Sequence, residues 1–360
     1  MRAHLEQSAA FCERHGLAVP IVLAPMAGVP APSLSIAVAR AGGLAACGAL
    51  LMSPREIAAW AAEIRAQTPG PFQMNLWIPD PPPRRDPGSE AAMRAFLARW
   101  GPEVACDAGD APLPDFEAQC AAILAARPAI ASSIMGLYPA RFVEALKRAG
   151  IPWFAAVSTV AEARLAEAAG ADAIVAQGAE AGGHRACFEA GEAEARQVGL
   201  FALLPAVVDA VRVPVIATGG IADPRGVAAA VLLGASAVQI GTAFLRCPEA
   251  AIHPTWAEAL ATTQPEDTRV TRVFSGRAGR CISNDFVRAA SDAGAPLPAP
   301  YPVQRGLTAA LRGAAARAND LQRMYALAGQ SAALARAEPA ATVVRRLWEG
   351  ASEILGTGWR

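Results

Sequence analysis

The chain has 360 residues, of which 53% are hydrophobic and 18% charged, so it can bury a large core and lacks the polar composition of disordered proteins. Lys plus Arg and Asp plus Glu both number 32, and a formal charge of zero leaves no basic field to hold a nucleic-acid backbone. We therefore expect a compact fold and no nucleic-acid partner.

The cysteines and histidines indicate a reducing compartment and argue against a metal site. The seven cysteines are scattered singly, and this odd number fits reduced thiols better than a disulfide framework. No apolar segment of signal-peptide type opens the chain and no apolar run is long enough to cross a bilayer, so we expect a cytoplasmic protein without a membrane partner. The four histidines have no spacing typical of metal ligands, and no metal site is expected. The sequence does not indicate an oligomeric state.

From about residue 20, short apolar runs alternate with amphipathic stretches, which is typical of a parallel sheet covered by helices. The runs are almost continuously apolar, as expected for strands buried on both faces. One barrel of about 250 residues plus an appended segment accounts for the length. We therefore predict an α/β fold, a (β/α)₈ TIM barrel. Its eight strands are predicted at residues 20–26, 44–48, 72–77, 129–135, 153–158, 173–177, 214–218 and 237–240.

Two regions interrupt this alternation. Residues 78–115 follow the third strand and carry a run of five prolines within residues 79–87, which cannot form a central strand or a helix interior. They are predicted to be an insertion. Residues 247–360 indicate a helical segment with a Pro-rich loop and a last helix at residues 340–355, packed on the barrel where it could help to close the site. The barrel itself is assigned to residues 1–246.

A Gly-Gly-His sequence is the strongest local signal. Gly182 and Gly183 come shortly after the sixth strand, where glycine lets the backbone approach a ligand that any Cβ would touch. His184 follows at once, and we expect it to act in catalysis. The alternative is that the two glycines only make a loop that His184 caps.

Glycines also follow the seventh and eighth strands, at Gly219, Gly220 and Gly241, with Thr242 next to the last of them. In barrels of this kind the loops after these two strands commonly bind phosphate through backbone N–H groups. We predict a phosphate site here. The alternative is that the glycines only permit tight turns.

The motifs, taken in order, resemble those of the nitronate monooxygenases, formerly called 2-nitropropane dioxygenases. The matching residues are Ala-Pro-Met-Ala-Gly at 24–28, Gln-Met-Asn-Leu-Trp at 73–77, Gln-Gly-Ala-Glu-Ala-Gly-Gly-His-Arg at 177–185, Gly-Gly-Ile at 219–221 and Gln-Ile-Gly-Thr at 239–242. Residues 275–280, Ser-Gly-Arg-Ala-Gly-Arg, look like the Gly-Arg-x-x-Arg segment of that family.

The resemblance implies an FMN cofactor and assigns residues to it. Asn75 and Gln177 would hydrogen-bond the flavin, since amide side chains offer both donor and acceptor. Asn75 as an ordinary turn residue is the alternative. The full predicted cofactor site is Ala24, Pro25, Met26, Asn75, Gln177, Gly182, Gly183, Gly219, Gly220, Gln239, Ile240, Gly241 and Thr242. The first three would support the flavin ring, and Gly220 with residues 239–242 would hold its phosphate.

By the same resemblance His184 would act at the substrate, either as a base on a neutral nitroalkane or as a partner of the nitronate anion. The ordinary histidine pKa near 6.5 suits both tasks. The chain departs from the family on the substrate side: members usually carry Ser-Phe-His-Phe-Gly after strand four, whereas residues 132–136 are Ser-Ser-Ile-Met-Gly. Ala186 replaces a usual glycine, and three tyrosines are available to line a pocket: Tyr138, Tyr301 and Tyr325.

The leading hypothesis is FMN-dependent oxidation of small nitronates or nitroalkanes by O₂ to a carbonyl compound and nitrite. A second keeps the cofactor and changes the reaction, because NAD(P)H:quinone reductases and flavin-type enoyl-ACP reductases share the barrel and the Gly-Gly-His feature. A third is a flavin-binding barrel that has lost catalysis. The expected partners are a small nitronate or quinone-like molecule and O₂.

Overall fold

Eight parallel strands form the central barrel in the computed structural model, which describes residues 2–29, 31–110 and 112–356. The strands are β1 (Ile21–Leu23), β2 (Ala45–Gly48), β3 (Phe72–Trp77), β4 (Ile130–Ile134), β5 (Trp153–Val157), β6 (Ala173–Gln177), β8 (Val215–Thr218) and β9 (Ala237–Ile240), with β7 (Gly183–His184) lying outside the barrel. Leu44 joins the ends of the sheet, because its N–H donates to the Ile21 carbonyl and its carbonyl accepts from Leu23, both at 2.9 Å. The predicted (β/α)₈ barrel is confirmed.

Helices connect and surround the strands. The α-helices are α1 (Arg2–His15), α2 (Ser33–Arg40), α3 (Pro54–Gln67), α4 (Pro87–Leu97), α5 (Phe116–Ala126), α6 (Ala140–Ala149), α7 (Val160–Ala168), α8 (Leu200–Ala210), α9 (Pro224–Leu232), α10 (Pro254–Leu260), α11 (Asp285–Ala289), α12 (Val303–Leu307), α13 (Ala309–Arg317) and α14 (Ala340–Ile354). Short 3-10 helices lie at Ala108–Asp110, Ala190–Glu192, Thr242–Phe244, Pro248–Ala250, Pro265–Asp267, Leu321–Arg323 and Ala332–Leu334.

Local sequence explains where these helices begin and how the outer ring is completed. Ser53 caps α3 in a capping box with Glu56, and Thr159 does the same for α7 with Glu162, so backbone N–H groups at both helix starts are satisfied. No α-helix comes directly after β9. Helix α14, predicted from sequence, packs against α9 and α2 and fills that place.

Helix α1 closes the N-terminal end of the barrel. Its Phe11 packs with Leu17 against the inward side chains of Val22, Phe154 and Ile216, and all of these are buried. This apolar plug fills the barrel beneath the strands' C-terminal ends. A ligand can therefore enter the barrel only from the opposite face.

The insertion and the C-terminal segment pack on each other beside that open face. Met93 and Phe96 of α4 share an apolar core with Phe274, Phe286 and Leu307 of the C-terminal segment. The segment is helical, as predicted, and it also contains two strands that the sequence did not indicate, β10 (Thr268–Thr271) and β11 (Gly279–Ile282). They form an antiparallel sheet with β7. The division at residue 246 stays a prediction. Among the described residues, no helix is both long and apolar enough to cross a membrane.

Candidate active site

A cavity of about 320 Å³ opens at the C-terminal ends of the barrel strands. Every residue predicted for the site from sequence lies on its wall: Ala24, Pro25, Met26, Asn75, Gln177, Gly182, Gly183, His184, Gly219, Gly220, Gln239, Ile240, Gly241 and Thr242. These residues come from the ends of five barrel strands, β1, β3, β6, β8 and β9, and from the loops that follow them. The structure brings them together, and the role of each stays a prediction.

Two amide side chains on the cavity wall are oriented by neighbours in the barrel. Gln73 donates to the Leu23 carbonyl at 3.1 Å and to Gln239 Oε1 at 3.4 Å, so the amide nitrogen of Gln239 is turned away from Gln73. Asn75 donates to Ser132 Oγ at 3.1 Å, which leaves its Oδ1 as an acceptor. The wall therefore offers one fixed donor and one fixed acceptor to a polar heterocycle.

The side-chain amide of Gln177 hydrogen-bonds to the protein backbone at both its nitrogen and its oxygen. Its Nε2 donates to the His184 carbonyl at 3.0 Å, and its Oε1 accepts from the Ala186 N–H at 2.8 Å. These two bonds tie the end of β6 to the strand that carries His184. Gln177 retains one N–H for a ligand, so it can contact a cofactor only while it also positions the histidine.

The loops after β8 and β9 have the geometry of a phosphate cradle. Gly219 and Gly220 have φ angles of 112° and 71°, a left-handed conformation that side-chain-bearing residues rarely adopt. The backbone N–H groups of Gly220, Thr242 and Ala243 have no protein acceptor in the part of the chain that the structure describes. Unpaired donors grouped on one wall are what an anionic phosphate requires.

His184 is held by contacts from the C-terminal segment. Its Nε2 lies 2.8 Å from Ser275 Oγ and 3.1 Å from the Tyr325 hydroxyl. The Trp77 ring covers the imidazole with a centroid distance of 4.5 Å. Within the described residues no protein group hydrogen-bonds to Nδ1, so this nitrogen is the one left for a substrate.

The surroundings of His184 keep its imidazole neutral. Burial, and secondarily the positive charge of Arg277, lower its pKa from 6.5 to about 3. Both causes disfavour the imidazolium form. A neutral ring is available at neutral pH, but its affinity for a proton is low unless a negative charge lies beside it.

Several cavity residues were not predicted because they lie in the C-terminal segment or at its contacts. They are Trp77, Trp256, Ser275, Arg305, Arg312 and Leu327, whereas Tyr301 and Tyr325, which also line the cavity, were named from the sequence. Two of the three tyrosines named from the sequence line the cavity, whereas Tyr138 packs between Phe142 and Trp153 and donates to the Ser132 carbonyl. The resemblance of residues 275–280 to a family motif was the one sequence signal that pointed to Ser275.

Two arginines, Arg305 and Arg312, line the cavity. Neither forms an ion pair with a carboxylate of the described residues. Arg312 donates to Thr308 Oγ1 at 3.3 Å and to the Arg305 carbonyl at 2.9 Å, both uncharged acceptors. Burial, followed by the charge of Arg305, lowers the pKa of Arg312. This part of the cavity therefore favours an anionic ligand.

One of the residues that differ from the family pattern at positions 132–136 also lines the cavity. Ile134 lies on the wall where a histidine is usual, and it is paired in the sheet with Trp77. Ile134 itself is apolar, and His184 is the one histidine among the described residues that line the cavity.

A closed barrel with a cavity at its C-terminal face, lined by amide groups, unpaired backbone N–H groups and an enclosed imidazole, defines the class of α/β-barrel enzymes. Comparison with known proteins identifies the family. The family model for nitronate monooxygenase matches residues 11–350, and the chain belongs to the nitronate monooxygenase family.

Individual relatives agree with this assignment. The nitronate monooxygenase of Paraburkholderia phytofirmans is 40% identical over 339 residues, covering 92% of both chains. That of Pseudomonas aeruginosa is 40% identical over 341 residues, covering 93% of this chain and 96% of the relative. The solved nitroalkane oxidase of Streptomyces ansochromogenes is 35% identical with a TM-score of 0.87, covering 96% and 99%. The chain is thus an FMN-dependent oxidoreductase, and its relatives support oxidation of nitroalkanes or nitronates.

Proposed function

We propose that this enzyme oxidises small nitronates and nitroalkanes to a carbonyl compound and nitrite, with FMN as cofactor and O₂ as oxidant. The observation that carries the proposal is the neutral imidazole of His184, enclosed by Trp77 and directed into a cavity whose other walls fit a flavin and an anion. Family membership supports the general chemistry, and the cavity supports the choice of cofactor.

The cavity residues fit FMN through the hydrogen-bonding groups that they present. Gly220, Thr242 and Ala243 would donate to one phosphate, and Asn75 and Gln239 would hydrogen-bond the flavin edge. FMN, when bound, would supply the acceptor for substrate electrons and their route to O₂.

The chain's own residues would bind the substrate and handle its proton. Arg305 and Arg312 would attract the negative charge of a nitronate and stabilise it as it forms from a neutral nitroalkane. His184 would accept the proton released from the substrate carbon. Because its pKa is near 3 in the free site, this transfer requires the new nitronate anion beside the imidazolium that forms. A substrate supplied as nitronate needs no such transfer.

Anaerobic reduction separates this proposal from the alternatives. Purified enzyme should be yellow and release FMN on denaturation, since the chain has one compact phosphate cradle and no Gly-x-Gly-x-x-Gly fingerprint of dinucleotide binding. Mixed without O₂, nitronates should bleach the flavin rapidly, and NADH and NADPH should not. Rapid bleaching by NADH or NADPH alone would favour the reductase, and no bleaching by any of them would favour a binding module.

The variant His184→Asn tests the histidine in the same assay. FMN should remain bound, because its proposed contacts come from other residues. Reduction by a neutral nitroalkane should fall by about 10²- to 10⁴-fold, as is typical for loss of a general base. Reduction by a pre-formed nitronate should fall much less. Full activity on both substrates would show that His184 is structural.

A further inference from the structure

The hydroxyl of Ser275 has two acceptors within reach and only one hydrogen to give. Its Oγ lies 2.8 Å from His184 Nε2 and 3.0 Å from the Arg277 carbonyl. Arg277 is buried, and Ser275 is the only donor to its carbonyl among the described residues. Since buried carbonyls are almost always paired, the serine hydrogen belongs to Arg277.

The hydrogen bond from Ser275 to the Arg277 carbonyl determines which nitrogen of His184 carries the imidazole hydrogen. With its hydrogen directed to Arg277, Ser275 presents a lone pair to Nε2 at 2.8 Å. Two lone pairs at this distance would repel, so Nε2 must be the protonated nitrogen of the neutral imidazole and donate to Ser275. The hydroxyl of Tyr325 lies farther from Nε2, at 3.1 Å.

We propose that Ser275 is a positioning residue that holds His184 in the Nε2–H tautomer, so that the Nδ1 lone pair faces the cavity as the proton acceptor. The relay runs from Nε2–H to Ser275 Oγ and from the Ser275 hydroxyl to the Arg277 carbonyl. In the reaction, the C–H bond next to the nitro group breaks, its proton forms the Nδ1–H bond, and its electron pair remains on the substrate as the nitronate. The catalytic part of this inference rests on the proposed function, whereas the tautomer does not.

Nitrogen NMR on the FMN-saturated enzyme measures the tautomer directly. The chain has only four histidines, and His184→Asn identifies the signal of interest by its loss. In long-range ¹H–¹⁵N correlation spectra at neutral pH, the wild-type ring should be in the Nε2–H form. Ser275→Thr should retain it, since the hydroxyl remains. In Ser275→Ala, Nε2 loses its acceptor and can accept from Tyr325, so the Nδ1–H form should become the major one.

A second variant keeps the test usable if alanine disturbs folding. Ser275→Cys preserves much of the volume but replaces the hydroxyl oxygen by sulfur, a weak acceptor, and it should shift the tautomer in the same direction. Melting temperature and FMN content report whether each variant is folded. Ser291→Ala is the matched control, because that serine lies just after α11 and its hydroxyl donates to the Val287 carbonyl at 2.8 Å, away from the cavity lining.

Kinetics then separate the inference from the proposed function. Reduction of the flavin by a neutral nitroalkane should slow by about 10- to 100-fold in Ser275→Ala, which corresponds to loss of one buried hydrogen bond, and by less than about threefold with a pre-formed nitronate. An Nδ1–H wild-type ring, or an unchanged tautomer in both Ser275→Ala and Ser275→Cys, would overturn the inference. If nitro compounds prove not to be substrates, the proposed function fails while the NMR result still decides the role of Ser275.

Discussion

The indole of Trp77 lies against the imidazole of His184, with ring centroids 4.5 Å apart and planes inclined by 67°. Trp77 ends β3, and its ring also contacts Tyr301 at 5.5 Å. Trp77, on a barrel strand, thus covers His184, which lies on β7 in the antiparallel sheet of β7, β10 and β11. This contact excludes water from the imidazole, and burial is the larger of the two causes that lower its pKa.

Removing the indole should therefore raise the His184 pKa. In Trp77→Ala, water reaches the imidazole, and we expect its pKa to rise from about 3 by about 1 to 2 units. NMR titration of the imidazole ring protons measures this. Trp77→Phe, which keeps an aromatic cover, should change the pKa less. Trp256→Leu is the matched control, because Trp256 also lines the cavity but hydrogen-bonds to Leu327 instead. An unchanged pKa in Trp77→Ala would mean that the charge of Arg277 dominates.

The same lowered pKa predicts how stability depends on pH. Folded enzyme keeps His184 neutral down to about pH 3, whereas the unfolded chain protonates it near 6.5. Between these values the unfolded state binds more protons, so this residue makes the wild type less stable as pH falls through that window. Relative to His184→Asn, the wild type should lose up to about 1.4 kcal/mol in unfolding free energy per pH unit below 6.5. Denaturant unfolding of both proteins at pH 7 and pH 5 measures this, and parallel changes would contradict it.

The phosphate cradle is tested at Gly220, where φ is 71° and an added Cβ would lie 3.1 Å from Glu180 Cβ. In Gly220→Ala the loop should relax away from this conformation, and FMN binding would have to restore it. Left-handed backbone costs about 1–2 kcal/mol in a non-glycine residue, so the Kd for FMN should rise by about 5- to 30-fold. Fluorescence titration measures it. Gly191→Ala, with open space around the new methyl group, should bind FMN as the wild type does.

The sequence predicted those parts of the fold and the site that neighbouring residues determine, and it missed those that depend on residues far apart in the chain. Each barrel strand is a short apolar run, and each glycine predicted to contact the cofactor comes directly or a few residues after such a run, so neighbouring residues were enough to place them. The support of His184 is not local, because Ser275 is 91 positions away and Tyr325 is 141 positions away. Strands β10 and β11 are only four residues long and each contains arginine, so neither has an apolar run. The pairing of β11 with the two residues after Gly182 could not be seen in the sequence.

A buried ion pair connects the insertion to the segment behind His184. Arg277 donates to Asp80 through Nε at 3.0 Å and Nη2 at 2.6 Å, and it also donates to the Cys187 carbonyl at 2.8 Å. The Arg277 side chain is 1% exposed and that of Asp80 is 21% exposed. Paired hydrogen bonds of this kind hold both the charge and the orientation of a guanidinium.

Neutralising Asp80 should therefore lower both the free energy of unfolding and the pKa of His184. In Asp80→Asn the buried charge of Arg277 loses its partner, and unfolding free energy should fall by about 3–5 kcal/mol, the range for breaking one side of a buried pair. Because the Arg277 charge is then uncompensated, the His184 pKa should also move further down, opposite to its shift in Trp77→Ala. Denaturant unfolding and NMR titration give the two values. Glu144→Gln, which removes the exposed pair with Arg148, should cost less than about 1 kcal/mol. A loss in Asp80→Asn as small as that of Glu144→Gln would mean that water replaces the carboxylate and that Asp80 does not hold Arg277 in place.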